Sequence, residues 1–301
     1  MELSYKNCNI CPRGCGVDRE VSVGACRSGA KPIISRVSRH MYEESSICGE
    51  CGAGTVFFSG CSLGCVFCQN SIISQRIVGR EFDEDELAEL FLTVAASGVT
   101  TLDLVTPTHF TPTVTAALAK VKDSLAIPVV WNSSGYESIE SLALLRGLVD
   151  VYLPDFKYYS PELSAKYSHA ADYRERAEAA LLYMYDMLGA PIVDENGKML
   201  KGIIVRHLVL PGQRKDSIDC LRRLAEIIPV SDVKLSLMRQ YTPDFYTGDD
   251  KNLRRRLTTF EYESVLREAV RLGFDGYMQS AESASAKYTP EFSDTFSIDL
   301  S

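Results

Sequence analysis

The chain has 301 residues, 46% of them hydrophobic and 24% charged, a balance that excludes a disordered polymer and lets one large α/β domain or two ordinary ones bury a core. A formal charge of −8 leaves no general electrostatic footprint for nucleic acid or for an anionic membrane surface. Nowhere do about eighteen apolar residues run together, and the opening MELSYKNCNICPRGCG lacks a basic stretch followed by an apolar run, so a cytoplasmic protein without membrane contact is expected.

Cysteine use is the first anomaly along the chain. Ten are present and nine precede residue 69, and in a reducing compartment clustered thiols point to metal rather than to structural disulfides. The first group, Cys8, Cys11, Cys15 and Cys26, has the spacing C-x2-C-x3-C-x10-C, with Pro12, Gly14, Gly16 and Gly24 supplying turns. Four thiolates in so short a segment suffice for a closed site, and both a zinc ion and a second iron–sulfur cluster accept that set. Buried thiols without metal are the alternative. Arg13, Arg19 and Arg27 either soften the charge of a thiolate site or lie on the surface. Cys48 and Cys51 have no partner pair in sequence and read as a redox relay, part of another site or neither. Residues 1–52 are therefore expected to form a Cys-rich N-terminal extension, 53–280 the main domain, and 281–301 a tail that closes an open side or hangs loose.

The main domain opens on TVFF (55–58), and GCSLGCVFCQN (60–70) then places Cys61, Cys65 and Cys68 within eight positions of one another. A four-iron, four-sulfur cluster takes one cysteine per iron, so three cysteines leave one iron open to an outside ligand. Gly60 and Gly64 let a single loop wrap such a body, whereas a closed zinc site asks for a fourth ligand that is not nearby. Asp83 followed by Glu86 predicts a capped helix whose Leu87, Leu90, Phe91 and Val94 share a face. Further strands are expected at 101–105, 128–131, 150–153, 203–210 and 233–238. Between them fall helices at 112–124 and 138–147, a stripe from Tyr173 to Leu188, another from Ile218 to Ile228 that carries Cys220 as a core residue, and a last helix at 260–272. Strand followed by helix, repeated six times, predicts an α/β fold with a parallel sheet and outer helices, either doubly wound or a partial barrel.

In such folds chemistry gathers at the carboxyl ends of the strands. Those ends carry the cysteine trio, then Thr106, Pro107, Thr108 and His109, then Asn132, Ser133 and Ser134, then Asp155 and Lys157, and finally Gln240 with Tyr241. Residues two apart share a strand face, so Asp155 and Lys157 point inward together, while only one of Arg206 and His207 can. Parity leaves that choice open; the resemblance given below assigns Arg206 inward and His207 against the helices, while His109 belongs to either the pocket or a packing role. The stretch between the fourth and fifth strands inserts about 45 residues, with a turn expected at Asn196 and Gly197.

FFSGCSLGCVFCQN, VTPTHF, NSSGY, LPDFKY, RHLVLPG and MRQY, in that order, resemble the radical S-adenosylmethionine (SAM) superfamily and, within it, the uncharacterised iron–sulfur proteins related to pyruvate formate-lyase-activating enzyme. The resemblance runs from about Cys8 to Tyr241. It implies a partial (β/α)6 barrel over 53–280, a [4Fe–4S] cluster on Cys61, Cys65 and Cys68, and SAM chelated by the open iron. The reduced cluster of that superfamily cleaves SAM to methionine and a 5'-deoxyadenosyl radical, which abstracts a substrate hydrogen. The resemblance also implies that Phe67 borders the adenine and that Thr106, Thr108, Asn132, Ser134, Asp155, Lys157 and Arg206 line the SAM and substrate pocket. The superfamily's Gly-Gly-Glu after the second strand is replaced by Thr106, Pro107 and Thr108, so hydroxyls and backbone carbonyls would receive the amino group. A flavodoxin- or ferredoxin-type electron donor is implied as partner, and a glycyl-radical enzyme or another peptide as substrate. The alternatives are a small-molecule substrate or a noncatalytic iron–sulfur redox protein. No ferredoxin-like insertion follows the trio; the extra thiols precede the barrel instead.

Overall fold

A computed structural model of the protein describes residues 2–285 and 290–301. After a loop region that lasts to residue 32, β1 (Ile33–His40) runs antiparallel to β2 (Ala53–Phe58), with the one-turn helix α1 (Ser45–Cys48) between them. The cysteine loop leads to α2 (Ser71–Ser74), the two-residue strand β3 (Arg80–Glu81) and α3 (Glu84–Ala96). Asp83 and Glu86 exchange hydrogen bonds with each other's backbone N–H at the start of α3, the reciprocal cap expected from their spacing.

From there strand and helix alternate: β4 (Thr101–Val105), α4 (Thr111–Val121), β5 (Val129–Ser133), α5 (Ile139–Leu144) and β6 (Val151–Pro154). The insertion contributes α6 (Pro161–Ser168), α7 (Tyr173–Leu188) and β7 (Ile192–Val193), which forms a hairpin with β8 (Met199–Leu208) across the turn at Asp194–Gly197. The series closes with α8 (Arg214–Ile227), β9 (Lys234–Met238), α9 (Thr259–Leu272), β10 (Gly276–Met278) and β11 (Ser297–Asp299). The sheet order is β10-β9-β8-β6-β5-β4-β2-β1-β11, parallel from β2 to β10, with β1 antiparallel to β2 and β11 parallel to β1. All six expected strands are present, and the mostly parallel α/β sheet is that of a partial barrel. No helix among the described residues is long and apolar enough to cross a membrane.

Strand parity divides the side chains into two environments. Leu102, Leu104, Trp131, Tyr152, Ile203, Val205 and Leu235 face the helices in the main core. On the opposite face, Ala53, Val130, Val151, Leu153 and Ile204 pack with Ile47 and Cys48 of α1. Helix α1 therefore plugs the interior at the amino ends of the strands. Thr101 and Thr100 hold it there, donating their hydroxyls to the carbonyls of Ile47 (3.1 Å) and Cys48 (2.7 Å). Two residues further along each strand the same inward face turns polar: Val130 gives way to Asn132, Leu153 to Asp155, Ile204 to Arg206. An apolar floor beneath a polar chamber follows from period-two alternation alone. Cys48 is buried in that floor while Cys51 is exposed, so CGEC does not act as a pair.

At the other edge the tail folds back: β11 lies on β1, Phe292 meets Phe57 edge to face at 5.3 Å, and Phe296 meets Phe82 at 5.2 Å. Residues 286–289 of the expected tail lie outside the described residues.

Candidate active site

The chain leaves β2 through Ser59, whose N–H reaches the carbonyl of Ile33 at 2.8 Å, and turns at Gly60 with φ +85°. A β-carbon at Gly60 would stand 2.2 Å from Ser28 Oγ and 2.7 Å from the Cys26 carbonyl, so only glycine fits this close approach. The loop that follows presents three thiols, each with a donor directed at its sulfur: the Leu63 N–H to Cys61 (3.4 Å), the Ser168 hydroxyl to Cys65 (2.9 Å) and the Ser74 hydroxyl to Cys68 (3.4 Å). Burial pushes the Cys65 thiol up, and burial together with the neighbouring Cys65 pushes Cys68 up to about 12. Ligation that removes those protons is therefore coupled to metal arrival.

Cys65, Phe67 and Cys68 border a cavity of about 700 Å³ whose other walls include Asn132, Asp155, Lys157, Arg206, Glu43 and Glu44. Asp155 sits between two cations, with Lys157 Nζ at 2.5 Å and Arg206 Nε at 3.2 Å. Burial alone would raise this carboxyl, but Lys157 and Arg206 hold it below the usual carboxylate range. Arg206 also donates to Asn132 Oδ1 (2.6 Å) and stands 3.7 Å from Glu43 Oε2. Burial and the charge of Glu43 push Glu44 up to about 7 and raise Asp103, which is wholly buried with one carboxylate oxygen unpartnered.

Residues 55–187 match the family model of the radical SAM superfamily. This segment is a radical SAM domain. The chain is 29% identical over 285 residues to the uncharacterized protein MJ0674 of Methanocaldococcus jannaschii, covering 90% of this chain and 76% of that one. Among solved structures, SuiB of Streptococcus suis bound to S-adenosylmethionine superposes with a TM-score of 0.50 at 11% identity, over 80% of this chain and 56% of SuiB. SuiB bound to its precursor peptide SuiA gives 0.52 at 12% identity, over 80% and 55%. The chain thus spans little more than half the length of SuiB, and at this identity the likeness is one of fold.

Radical SAM enzymes use a [4Fe–4S] cluster and SAM, and the donor set fits: three thiols on one loop, each sulfur with a hydrogen-bond donor of the kind that orients and tunes a metal-bound thiolate. Among the described residues no three His, Cys, Asp or Glu side chains close around a single metal ion. A cuboidal cluster asks for a different arrangement, one thiolate at each of several separate corners.

Several residues read from the sequence come together in this domain and others do not. Phe67, Asn132, Asp155, Lys157 and Arg206 all border the cavity. Thr106, Thr108 and Ser134 do not: Thr106 ends its strand in the left-handed region (φ 60°), Thr108 turns its hydroxyl 2.6 Å from Glu137 Oε1, and the Ser134 carbonyl accepts from the Tyr173 hydroxyl at 2.8 Å. His109 and His207 are buried away from the cavity, paired to the carbonyls of Ser59 and Phe156. Cys8, Cys11 and Cys26 are buried and Cys15 half-buried in a loop that backs the trio. Sequence reading missed Glu43, Glu44, Asp103 and Ser236. Asp103 carried a signal, a carboxylate inside the apolar run TLDLV at inward parity; the two glutamates carried none, since only the passage of α1 beneath the barrel brings them inside.

Proposed function

We propose that the protein is a radical SAM enzyme whose cluster is held by Cys61, Cys65 and Cys68 and whose substrate loses a hydrogen atom in the adjoining cavity. The observation that carries this reading is one chamber shared by Cys65 and Cys68 of the trio and the buried network of Asn132, Asp155, Lys157 and Arg206. When bound, the cluster supplies the electron that splits SAM into methionine and a 5'-deoxyadenosyl radical.

The chain's own residues then bind and orient. Asp155 with Lys157 and Arg206 sums to one positive charge beside the trio, matching the carboxylate of SAM. Phe67, held edge to face between Tyr167 (6.3 Å) and Tyr241 (6.2 Å), offers an apolar wall for the adenine. Glu43 and Glu44 line the same chamber and receive the cationic nitrogen in place of the missing Gly-Gly-Glu. Within this reading the substrate is a peptide, including the glycine of a glycyl-radical enzyme, and the electron donor is of flavodoxin or ferredoxin type in the reducing cytoplasm. The SuiB fold, solved with a precursor peptide in place, supports a peptide as substrate.

Anaerobically reconstituted protein incubated with SAM and dithionite should form 5'-deoxyadenosine, and Cys65→Ala should bring formation down to the level without enzyme. A wild-type yield no higher than that of Cys65→Ala overturns the reading.

A further inference from the structure

Residues 2–30 contain no helix or strand, yet they bury three thiols and an arginine and half-bury a fourth thiol. The loop is shaped by a nested set of backbone bonds: Gly14 N–H to the Cys11 carbonyl (3.0 Å), Gly16 N–H to Cys8 (3.0 Å), Cys8 N–H to Val17 (3.0 Å) and Arg27 N–H to Gly24 (2.8 Å). These turns gather the sulfurs. Cys8 and Cys15 are within hydrogen-bond reach of each other, and a β-carbon at Gly24 would touch both Cys26 Sγ (3.4 Å) and Cys15 Sγ (3.5 Å).

A further feature asks for negative charge at this point. Arg19, 2% exposed, bonds the carbonyls of Ser28 (3.1 Å), Gly29 and His109 (2.6 Å) and reaches Cys8 Sγ at 3.7 Å, and among the described residues no carboxylate pairs with it. A buried guanidinium without an anion is costly. Four thiolates on a metal would supply that anion and would also account for a buried loop that lacks regular structure.

We infer that Cys8, Cys11, Cys15 and Cys26 bind a second metal centre, a four-thiolate site distinct from the cysteine trio. The two sets adjoin. The Cys26 carbonyl accepts from the Cys61 N–H (3.4 Å), and Arg13, between Cys11 and Cys15, donates to the carbonyls of Ser62 (2.7 Å) and Ser168 (2.9 Å), the serine whose hydroxyl reaches Cys65. The front centre thus backs the loop that carries the trio. Because no three of these side chains close around a single ion among the described residues, the centre that fits is an iron–sulfur cluster, which takes one thiolate at each of its separate irons.

The test uses the full chain purified anaerobically with Cys61, Cys65 and Cys68 all changed to Ala, so that its outcome does not depend on SAM chemistry. Elemental analysis should find about four irons per chain still bound. Adding Cys8→Ser and Cys15→Ser should remove that metal. In the trio variant itself, which keeps the front loop intact, four thiols should resist an aromatic disulfide reagent until a strong chelator is added. A folded trio variant without bound iron, or with all its thiols reactive from the start, overturns the inference.

Discussion

Glu137 shows how a single side chain can oppose the fold that holds it. It is 2% exposed, its Oε1 accepts from Thr108 (2.6 Å) and lies 3.4 Å from Trp131 Nε1, and its Oε2 has no partner. Burial pushes its pKa up from 4.5 to about 7. A carboxyl raised by folding keeps its proton in the native state after the unfolded chain has released it, so stability falls as pH climbs from about 4.5 to about 7 and is level above. Glu137→Gln keeps the accepting oxygen and removes the charge. Urea midpoints should show the variant gaining on wild type across that interval, reaching about 1–3 kcal/mol near pH 8, and parallel pH profiles would refute the assignment. Parity made other residues of the site legible: Arg206 faces the chamber and His207 does not, as residues one apart on a strand must. Thr106, Thr108 and Ser134 were not legible, because parity ends where the strand ends and the turn decides the direction.

Among the elements, the long ones announced themselves. The barrel strands are buried on both faces and read as apolar runs, and α3, α7, α8 and α9 carry stripes of helical period long enough to recognise. Short elements gave less. Four residues, SSIC, cannot display a period, so α1 went unseen although Ile47 is fully buried at the base of the barrel. Helix α6 was signalled only by Ser160, which caps it, and by Pro161 in its first turn. Helix α1 is nonetheless a large contributor, since Ile47 fills the space between Val130, Val151, Leu153 and Ile204. Ile47→Ala should cost about 2–5 kcal/mol in urea unfolding, and a loss below about 1 kcal/mol would mean that the floor collapses around the gap.

For the molecule as a whole, the edges of the sheet matter most. Strand β1 is not a free edge, because β11 runs along Arg36–Ser38 and Phe292 and Phe296 cover Phe57 and Phe82. Removing residues 290–301 would bare a hydrogen-bonding edge and apolar side chains together, a combination that pairs readily with a second chain. Size-exclusion chromatography should show the truncated protein associating where the full chain does not; an unchanged elution profile would show the cover to be dispensable. This return of the tail was beyond sequence reading, for three residues of strand carry no pattern of their own and need β1 as a template.

The plug at the base of the barrel has one more consequence. The turn that inserts Ile47 like a stopper also carries Glu43 and Glu44 into the interior, beside Asp155, Lys157 and Arg206. Sealing and acidity are thus inherited from one stretch of chain. Because burial favours the neutral forms of Glu44 and Asp103, the cations Lys157 and Arg206 are matched by Asp155 and Glu43, and a visitor meets paired charges whose partners it must replace rather than a one-signed field.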